Sequence, residues 1–483
     1  MLLAFGRTTR HRLRPKVTSE MRFFRSSKRS LVSSAACALA AFAVLGAPFL
    51  APMARADVVP PPVEIPAKLT LDDALTTFRT RGFGVLIAQA AVMSAEGAHL
   101  SAGAVPNPVV NGSYGRAFNY SPSYACAPGT DQSACSGNSA NAYGIGVSDN
   151  SAIEDSLSGK RTLRKDVTRA ALAAAKMNRV DAQRNLEFQV KAAYVQVVLT
   201  LDALDFQLEV AKSNQATLDL NQRRYDKGAI NEGELARVRT AKLASDQAVD
   251  TSRQNIRQAR VALAFLLGVR GNVPDFDVDR DVLQYRVPGA LSTTSPDTLL
   301  HAAFDKRPDL RALGYQRESA EAQIRLAKRN VFPDIALSLN YNQTGSGQNS
   351  IQPPTLTFGV TAPIPLIYQG QGEIRQAEAN YNTQTLTQAQ TTAQVVSDVE
   401  AAYAAFAGSK LLVERMEGAE LNSAKLARDI TQRQFAGGTA TLMDFLDAQR
   451  TYIATNLEYL QNLTSYWTAV FQLEQAVGAD LRQ

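Results

Sequence analysis

Residues 160–227 constrain the fold most, because they contain neither Gly nor Pro. At about 1.5 Å per residue, an unbroken helix over this stretch would be about 100 Å long, several times the length of an ordinary globular helix. Its apolar residues recur at intervals of three and four, which is typical of a helix that packs along one side. They are Leu186, Val190, Ala193, Val197, Leu201, Leu204, Leu208 and Ala211. We therefore predict a long helix that packs sideways against others, with its polar side in water.

The first 56 residues have the composition of an export signal. They hold ten of the 51 Lys and Arg residues and one of the 45 Asp and Glu residues, which leaves 41 basic and 44 acidic residues, a net charge of −3. Nucleic-acid binding is therefore not expected. A basic cluster precedes an apolar run at 31–50, and Ala54-Arg55-Ala56 fits a cleavage site.

We predict a signal peptide over residues 1–56, with Met21 as the candidate true start and Asp57 as the first mature residue. An uncleaved membrane anchor is the alternative. No later stretch approaches 18 apolar residues, so we expect no transmembrane helix in the mature chain.

The sequence after the predicted signal peptide contains two similar halves. VKAAY at 190–194 matches VEAAY at 399–403, and RRYDKG at 223–228 matches RQFAGG at 433–438. Each half shows a helix, two short strands, a very long helix, a Gly turn and a closing helix, which indicates a duplication. We predict a Pro-rich lead at 57–68, a first repeat at 69–270, a linker at 271–296, a second repeat at 297–479 and a C-terminal end at 480–483.

Short alternating segments in both halves predict strands. Segments 110–120, 143–148, 335–342 and 355–361 place apolar or aromatic residues on one face and small or polar residues on the other. This pattern is typical of strands between lipid and a water-filled lumen, and also of a half-buried soluble sheet. The predicted export signal favours strands in a membrane over a soluble sheet. Four strands cannot close around water and lipid does not tolerate open edges, so several copies of the chain would share one barrel.

With its predicted helices and strands in this order, the sequence resembles the TolC-like outer-membrane factors. These proteins are the exit ducts of tripartite efflux pumps and of type I secretion systems. The resemblance rests on LTLDDAL at 69–75, RPDLRA at 307–312, VFPDIALSLNY at 331–341, GEIRQAEA at 372–379, TLMDFLDAQR at 441–450 and LEQAVG at 473–478. It implies a mainly α fold with a β-barrel part. Three subunits of a homotrimer would each give four strands to a twelve-stranded outer-membrane β-barrel, which stands on a long periplasmic α-barrel.

The function that the resemblance implies is passive conduction from the periplasm to the outside of the cell. A periplasmic adaptor would dock on the duct and an inner-membrane transporter would supply the energy, with a proton-coupled exporter favoured over an ATP-driven one. Outer-membrane lipid would surround the barrel. A type I protein secretion duct and a non-conducting envelope coiled coil are the alternatives. The cargo stays open, because the partners mainly choose it.

No motif in the sequence predicts a catalytic, cofactor-binding or metal-binding site. There is no phosphate-binding G-x-x-x-x-G-K-[ST] motif and no H-E-x-x-H motif, and His99 and His301 are the only histidines after the leader. We expect no enzyme activity, no cofactor and no metal site.

Two Gly turns are predicted to form the periplasmic tips, at Gly228 in the first repeat and at Gly437 and Gly438 in the second. Gly permits the positive φ at which an antiparallel helix pair reverses. Adaptor contacts are expected near residues 227–230 and 437–440.

A gate is predicted one turn beyond the second tip. Asp444 and Asp447 are three residues apart and so share one helix face. The resemblance implies that a trimer turns them into acidic rings at the constriction, beside Met443, and that Glu234 helps to hold the mouth shut. Repulsion between like charges should raise some of these carboxyl pKa values.

The polar contacts that close the mouth should differ from those of related ducts. Phe435 stands where relatives have a Tyr, and Ala440 where they have an Arg. We expect closure that is either more apolar, through Met443 and Phe435, or weaker.

A disulfide is predicted between Cys126 and Cys135, in the loop between the first two strands. An exported chain meets oxidising conditions, and the pair closes a short loop that should face outside the cell. Peptide mass spectrometry without reduction should therefore recover the two cysteines as one linked species, with a local and modest effect on stability. Recovery of both as free thiols would contradict the pairing.

Overall fold

The computed structural model describes residues 64–116, 118, 141–292, 294–344 and 354–481. The predicted signal peptide at 1–56, residues 57–63 of the predicted lead at 57–68, Cys126 and Cys135 lie outside these residues, so the predictions made for them stay predictions.

The first half of the described chain contains six strands or helices before its long helix. These elements are β1 (Lys68–Leu69), α1 (Leu71–Arg81), α2 (Phe83–Ala102), β2 (Val109–Arg116), β3 (Asn141–Ser148), α3 (Ala152–Leu157), α4 (Lys160–Asp226) and α5 (Glu232–Leu266). The long helix α4 ends one residue before the predicted end at Lys227. It begins after Gly159, whose φ of +80° lets the chain turn from the sheet into the helix.

The second half repeats this order, with a break in its long helix. Its elements are β4 (Asp277–Val278), a 3₁₀ turn (Arg280–Leu283), α6 (Gly289–Ser292), α7 (Pro296–Lys306), α8 (Pro308–Arg329), β5 (Ala336–Thr344), β6 (Thr355–Thr361), α9 (Gln371–Arg415), a π-helical turn (Met416–Glu420), α10 (Leu421–Ala436) and α11 (Leu442–Val477). The long helix again begins after a left-handed Gly, Gly370, with φ +70°.

The four predicted strands form one antiparallel sheet in the order β2-β3-β5-β6. The described part of the sheet is open, with β2 and β6 at its edges. The register of the strands places residues directly opposite one another in rows. One row contains Val110, Val147, Leu339 and Phe358, one residue from each of the four strands. The closed barrel expected from the resemblance is therefore not formed by one chain.

The two faces of this sheet differ in polarity. The face that contains Val110 is exposed and apolar: Tyr114, Ile145, Leu356 and Phe358 are 62, 53, 59 and 80% exposed. The opposite face carries Asn, Ser, Thr and Gly, with Asn111, Gly146, Asn340 and Thr357 in one row. The period-two alternation of side chains along each strand thus separates an apolar face of the sheet from a polar one.

Helices α1 and α2 correct one expectation. Together, Leu71–Ala102 are long and apolar enough to cross a membrane, judged by length and composition alone, and little of their most apolar part is buried. Ile87 and Leu100 on α2 are 70 and 76% exposed. The expectation that no apolar stretch of this length follows the leader was therefore wrong. Small residues between the large ones hide the apolar character of α2 from inspection of the sequence.

The main apolar core is formed by residues of the long helices α4 and α9 together with residues of α1, α5, α7 and α11. Tyr194, Tyr466 and Trp467 are at most 2% exposed and pack within one apolar cluster. The Tyr194 hydroxyl lies 2.9 Å from the Leu69 carbonyl oxygen and accepts a hydrogen bond from the Asp279 N–H at 2.9 Å. This hydroxyl ties the small parallel pair β1–β4 to α4, because Leu69 is the last residue of β1 and Asp279 follows β4 directly.

A buried ion pair joins the two repeats beside this core. Lys191 Nζ lies 2.5 Å from Glu474 Oε2, and the side chains are 9 and 4% exposed. The other carboxylate oxygen of Glu474 accepts the Leu481 N–H at 3.1 Å, which anchors the end of the described chain. Burial raises the pKa of Glu474 above its ordinary value, although Lys191 acts in the opposite direction.

Lys191→Met should destabilise the helical part by about 3–5 kcal/mol, because Glu474 would stay buried without its cation. Thermal unfolding followed by circular dichroism measures the loss. Lys191→Met combined with Glu474→Gln should recover most of it, since the glutamine oxygen can still accept the Leu481 N–H. A single variant that unfolds at the parent temperature would show that this pair does not join the repeats.

Candidate functional site

The tips of both repeats close in the same way. Gly228 and Gly438 have φ of +71° and +80°. In the first turn Gly228 N–H donates to the Tyr225 carbonyl and Ala229 N–H to the Arg224 carbonyl, both at 2.8 Å; in the second, Gly438 donates to Phe435 at 3.2 Å and Thr439 to Gln434 at 2.9 Å. This Schellman arrangement satisfies the end of the helix without side chains. Gly437, also predicted at the turn, has φ −79°, so Gly438 alone supplies the left-handed residue.

The closing helices both begin with a capping box. The Asn231 side chain accepts the Glu234 N–H at 2.8 Å, and the Glu234 carboxylate accepts the Asn231 N–H at 3.2 Å. In the second repeat, Asp444 Oδ2 accepts from the Thr441 backbone at 3.0 Å and from its hydroxyl at 2.7 Å. Glu234 and Asp444 therefore occupy equivalent positions and each holds the first turn of a helix.

Sequence reasoning missed this capping role, although N-x-x-E and T-x-x-D before an apolar run signal it. The Thr441 hydroxyl and then the Thr441 backbone N–H lower the pKa of Asp444. Within one protomer the cap thus acts against the upward shift expected in an acidic ring.

The carboxylates of Asp447 and Asp444 differ in their contacts. Both carboxylates are exposed on the first turns of α11, but Asp447 forms no hydrogen bond or ion pair with the described residues. Met443 beside them is 49% exposed. Asp447 and Met443 are thus free to face a neighbouring chain or a lumen, whereas the Asp444 carboxylate is held by its own helix.

The predicted part of Phe435 in an apolar closure needs correction. Phe435 is 6% exposed and stacks on Phe445, with ring centroids 5.4 Å apart and planes at 4°. Both belong to a small core that also contains Val238, Leu442 and Leu446. Phe435 therefore supports the tip from inside the protomer, because this core covers its side chain.

A guanidinium group links the two repeats at the tip. Arg224, near the end of α4, donates to the carbonyls of Phe435 at 3.2 Å and Ala436 at 3.0 Å, and lies 4.9 Å from the centre of the Phe435 ring. These carbonyls are among the last of α10, where a helix has unpaired acceptors and a partial negative charge. Arg224 was not singled out from the sequence, since the contact joins residues 211 positions apart.

A polar contact crosses three helices above the tip. Gln449 on α11 donates to Asn214 on α4 at 2.8 Å, and Asn214 lies 3.4 Å from the Ala241 carbonyl on α5. Gln449 and Asn214 are each 6% exposed. Buried amides of this kind fix the register of packed helices, because any sliding leaves them without partners.

The described residues show no cluster of metal-binding side chains. No group of three or more His, Cys, Asp or Glu side chains among them could hold a metal ion. His99 lies 3.0 Å from the Thr168 hydroxyl, and His301 is exposed on α7.

Comparison with known families and structures adds to this geometry. The family model described as outer membrane efflux protein matches residues 81–269 and 299–479. The chain is 26% identical over 339 residues to the pyoverdine export outer membrane protein OpmQ of Pseudomonas putida, covering 66% of this chain and 67% of that protein. It is 24% identical over 306 residues to the outer membrane protein TolC of Vibrio cholerae, covering 61 and 68%. The solved outer-membrane channel OprN matches with a TM-score of 0.68 at 17% identity, covering 86 and 91%.

Replacing Thr441 by Ala should loosen the start of α11 by about 1 kcal/mol, because the N-cap side chain is lost. Hydrogen exchange of the amides in 442–445 should become faster. The contribution of Asp444 to this cap is fully present above its ordinary pKa of 3.8 and is lost as the pH falls through its lowered folded pKa. The matched variant Asn231→Ala should affect 232–235 in the same way, and unchanged exchange in both would show that the capping boxes do not stabilise the tips.

Proposed function

The chain belongs to the outer membrane efflux protein family, and from this we propose that it is the outer-membrane exit duct of a tripartite pump. It would conduct substrates passively from the periplasm to the outside. One observation carries the proposal: an open four-stranded sheet with an exposed apolar face is continuous with helices of 67 and 45 residues. Such a sheet fits lipid on one face and water on the other, and the helices reach far from it.

The sheet edges support assembly of several copies, and we take the number three from the family resemblance. Strands β2 and β6 have unpaired edges, and a lipid environment offers no water to satisfy their backbone groups. Pairing β6 of one copy with β2 of the next removes every edge, and three copies would give twelve strands. The exposed apolar residues of α2 would then meet a neighbouring copy, which explains why one chain leaves them uncovered.

The helical tips would meet the partner proteins. We place the periplasmic adaptor against residues 227–230 and 437–440, and assign the energy supply to an inner-membrane transporter, proton-coupled by preference. The two Schellman turns present these residues at the ends of the helix pairs α4–α5 and α10–α11. The cargo is not assigned, since no described pocket distinguishes one class of small molecule from another.

The gate would be formed where α11 begins. Threefold symmetry would gather three copies each of Asp447, Asp444 and Met443 around the axis. Because Asp444 is held by Thr441, we assign the main attraction for cations to Asp447. Glu234 and Asp444 would hold the starts of α5 and α11, while Arg224 and the Phe435 core would hold the helix pairs α4–α5 and α10–α11 together.

Asp444→Asn combined with Asp447→Asn should abolish the cation selectivity of the resting pore and its block by multivalent cations from the periplasmic side, while trimers still assemble. Asp447→Asn alone should give most of this loss and Asp444→Asn less. Single-channel recording in planar bilayers measures both properties. Glu232→Gln, an exposed acid at the other tip, is the matched control and should leave them unchanged. A double variant with the parent's selectivity and block would refute the assignment of the gate.

A further inference from the structure

Helix α3 (Ala152–Leu157) has its apolar residues outside and its acidic residues inside. Ile153 and Leu157 are four positions apart, so they share one face of the helix, and they are 51 and 82% exposed. Asp155 is 5% exposed, and the Glu154 side chain is 12% exposed. A surface helix in water has the opposite arrangement, because water solvates charges and burial removes apolar surface.

Ion pairs hold the acidic residues of α3 inside the protein. The Asp155 carboxylate accepts two hydrogen bonds from Arg164 on α4, at 2.6 and 2.7 Å. Glu154 Oε1 lies 3.3 Å from the ammonium group of Lys160, a buried residue that also donates to the Phe332 carbonyl at 2.7 Å. These contacts fix the orientation of α3, and its apolar face therefore points outwards.

The second repeat has exposed apolar residues in the equivalent place. Helix α3 follows β3, and the segment 362–368 follows β6, the corresponding strand of the second repeat. Strands β3 and β6 run in the same direction, because each pairs antiparallel with β5 between them. Both segments therefore lie at the end of the sheet from which the long helices start. The large apolar residues of the second segment are Ile364, Leu366, Ile367 and Tyr368, which are 74, 80, 98 and 56% exposed.

The backbone of segment 362–368 suits an apolar environment. The exposed apolar residues of β6 occupy even positions from Leu356 to Val360, and Ile364 and Leu366 continue this alternation. Pro363 and Pro365 stand between them and have no N–H group to leave unpaired. The Leu366 N–H donates to the Ile364 carbonyl at 2.9 Å. Fewer backbone donors thus lack a partner, which reduces the cost of placing this segment against lipid.

The position of α3 favours lipid over a neighbouring copy as the cover of its apolar face. Strand β3 is paired on both sides, with β2 and β5, so α3 follows a central strand of the sheet. The edges at which copies would pair belong to β2 and β6. Tyr368 in the other segment combines an apolar ring with a hydroxyl that donates to Glu373 at 2.7 Å. Aromatic residues of this kind gather where a membrane-spanning sheet meets the water.

We propose that α3 and segment 362–368 are interface anchors, which insert their exposed apolar side chains among the phospholipids of the periplasmic leaflet. The two anchors would set the depth of the sheet in the membrane. Interfacial helices bury their apolar face by about 5–10 Å at the boundary between headgroups and acyl chains. The inference rests on the proposed function, because it assumes that the apolar face of the sheet lies in lipid.

Spin labels test the anchors in the full-length protein, reconstituted in phospholipid nanodiscs with its other cysteines replaced by Ser. Leu157→Cys and Ile367→Cys carry the label in the two anchors. Phe358→Cys, on the apolar face of β6, is the lipid reference. Asp226→Cys, exposed at the end of α4, is the water reference. Power saturation measures the accessibility of each label to oxygen, which enters lipid, and to a nickel chelate, which stays in water.

The ratio of oxygen to nickel accessibility at 157 and 367 should be several-fold higher than at 226, and lower than at 358. A ratio equal to that at 226 would place the residue in water, and low accessibility to both reagents would show that protein covers it. Either result would overturn the anchor at that position. A label at 358 that is accessible to the nickel chelate would instead count against the proposed function.

Photocrosslinking of the unmodified protein covers the case in which a labelled variant does not assemble. Phospholipids that carry a diazirine near the top of an acyl chain should crosslink to peptides containing 152–157 and 364–368. Crosslinks confined to the strands of the sheet would overturn both anchors. Absence of crosslinks to the strands as well would contradict the proposed function.

Discussion

The rest of the structure depends on backbone hydrogen bonding at the edges of one sheet. Four strands offer two unpaired edges, and an exposed apolar face places them where water cannot satisfy the edge groups. Under the proposed function, the edges pair with other copies. Copies that share a barrel would bring their helices around the same axis, and residues at the helix tips would become rings. In this proposal, the edge pairing determines the assembly, and the assembly determines the gate.

Duplication explains why both tips share one construction. A Gly with positive φ, a Schellman turn and a capping box occur in each repeat at a constant spacing of 210 residues. The differences between the repeats carry the specific features of this chain. Phe435 packs inside the second tip where Tyr225 in the first is 39% exposed. The second long helix also contains a π-helical turn that the first lacks.

Much of the fold could be predicted from the sequence because its signals are local. The absence of Gly and Pro defined α4 to within one residue, and period-two alternation identified all four strands of the sheet. The Gly turns were visible for the same reason, since backbone geometry at φ > 0 favours Gly. What stayed hidden depends on contacts between distant residues: the burial of Phe435 against Phe445, and the Arg224 contact with α10. The family resemblance pointed to Asp444 and Asp447, but only the hydrogen bonds of Thr441 distinguish their surroundings.

Electron cryomicroscopy of the protein in lipid nanodiscs tests the central claim most directly. We expect three copies around one axis, with β6 of each copy hydrogen-bonded to β2 of the next and the apolar row of Val110, Val147, Leu339 and Phe358 facing lipid. A single copy whose sheet edges are covered by its own chain, or an assembly in which β2 and β6 do not pair, would contradict the account.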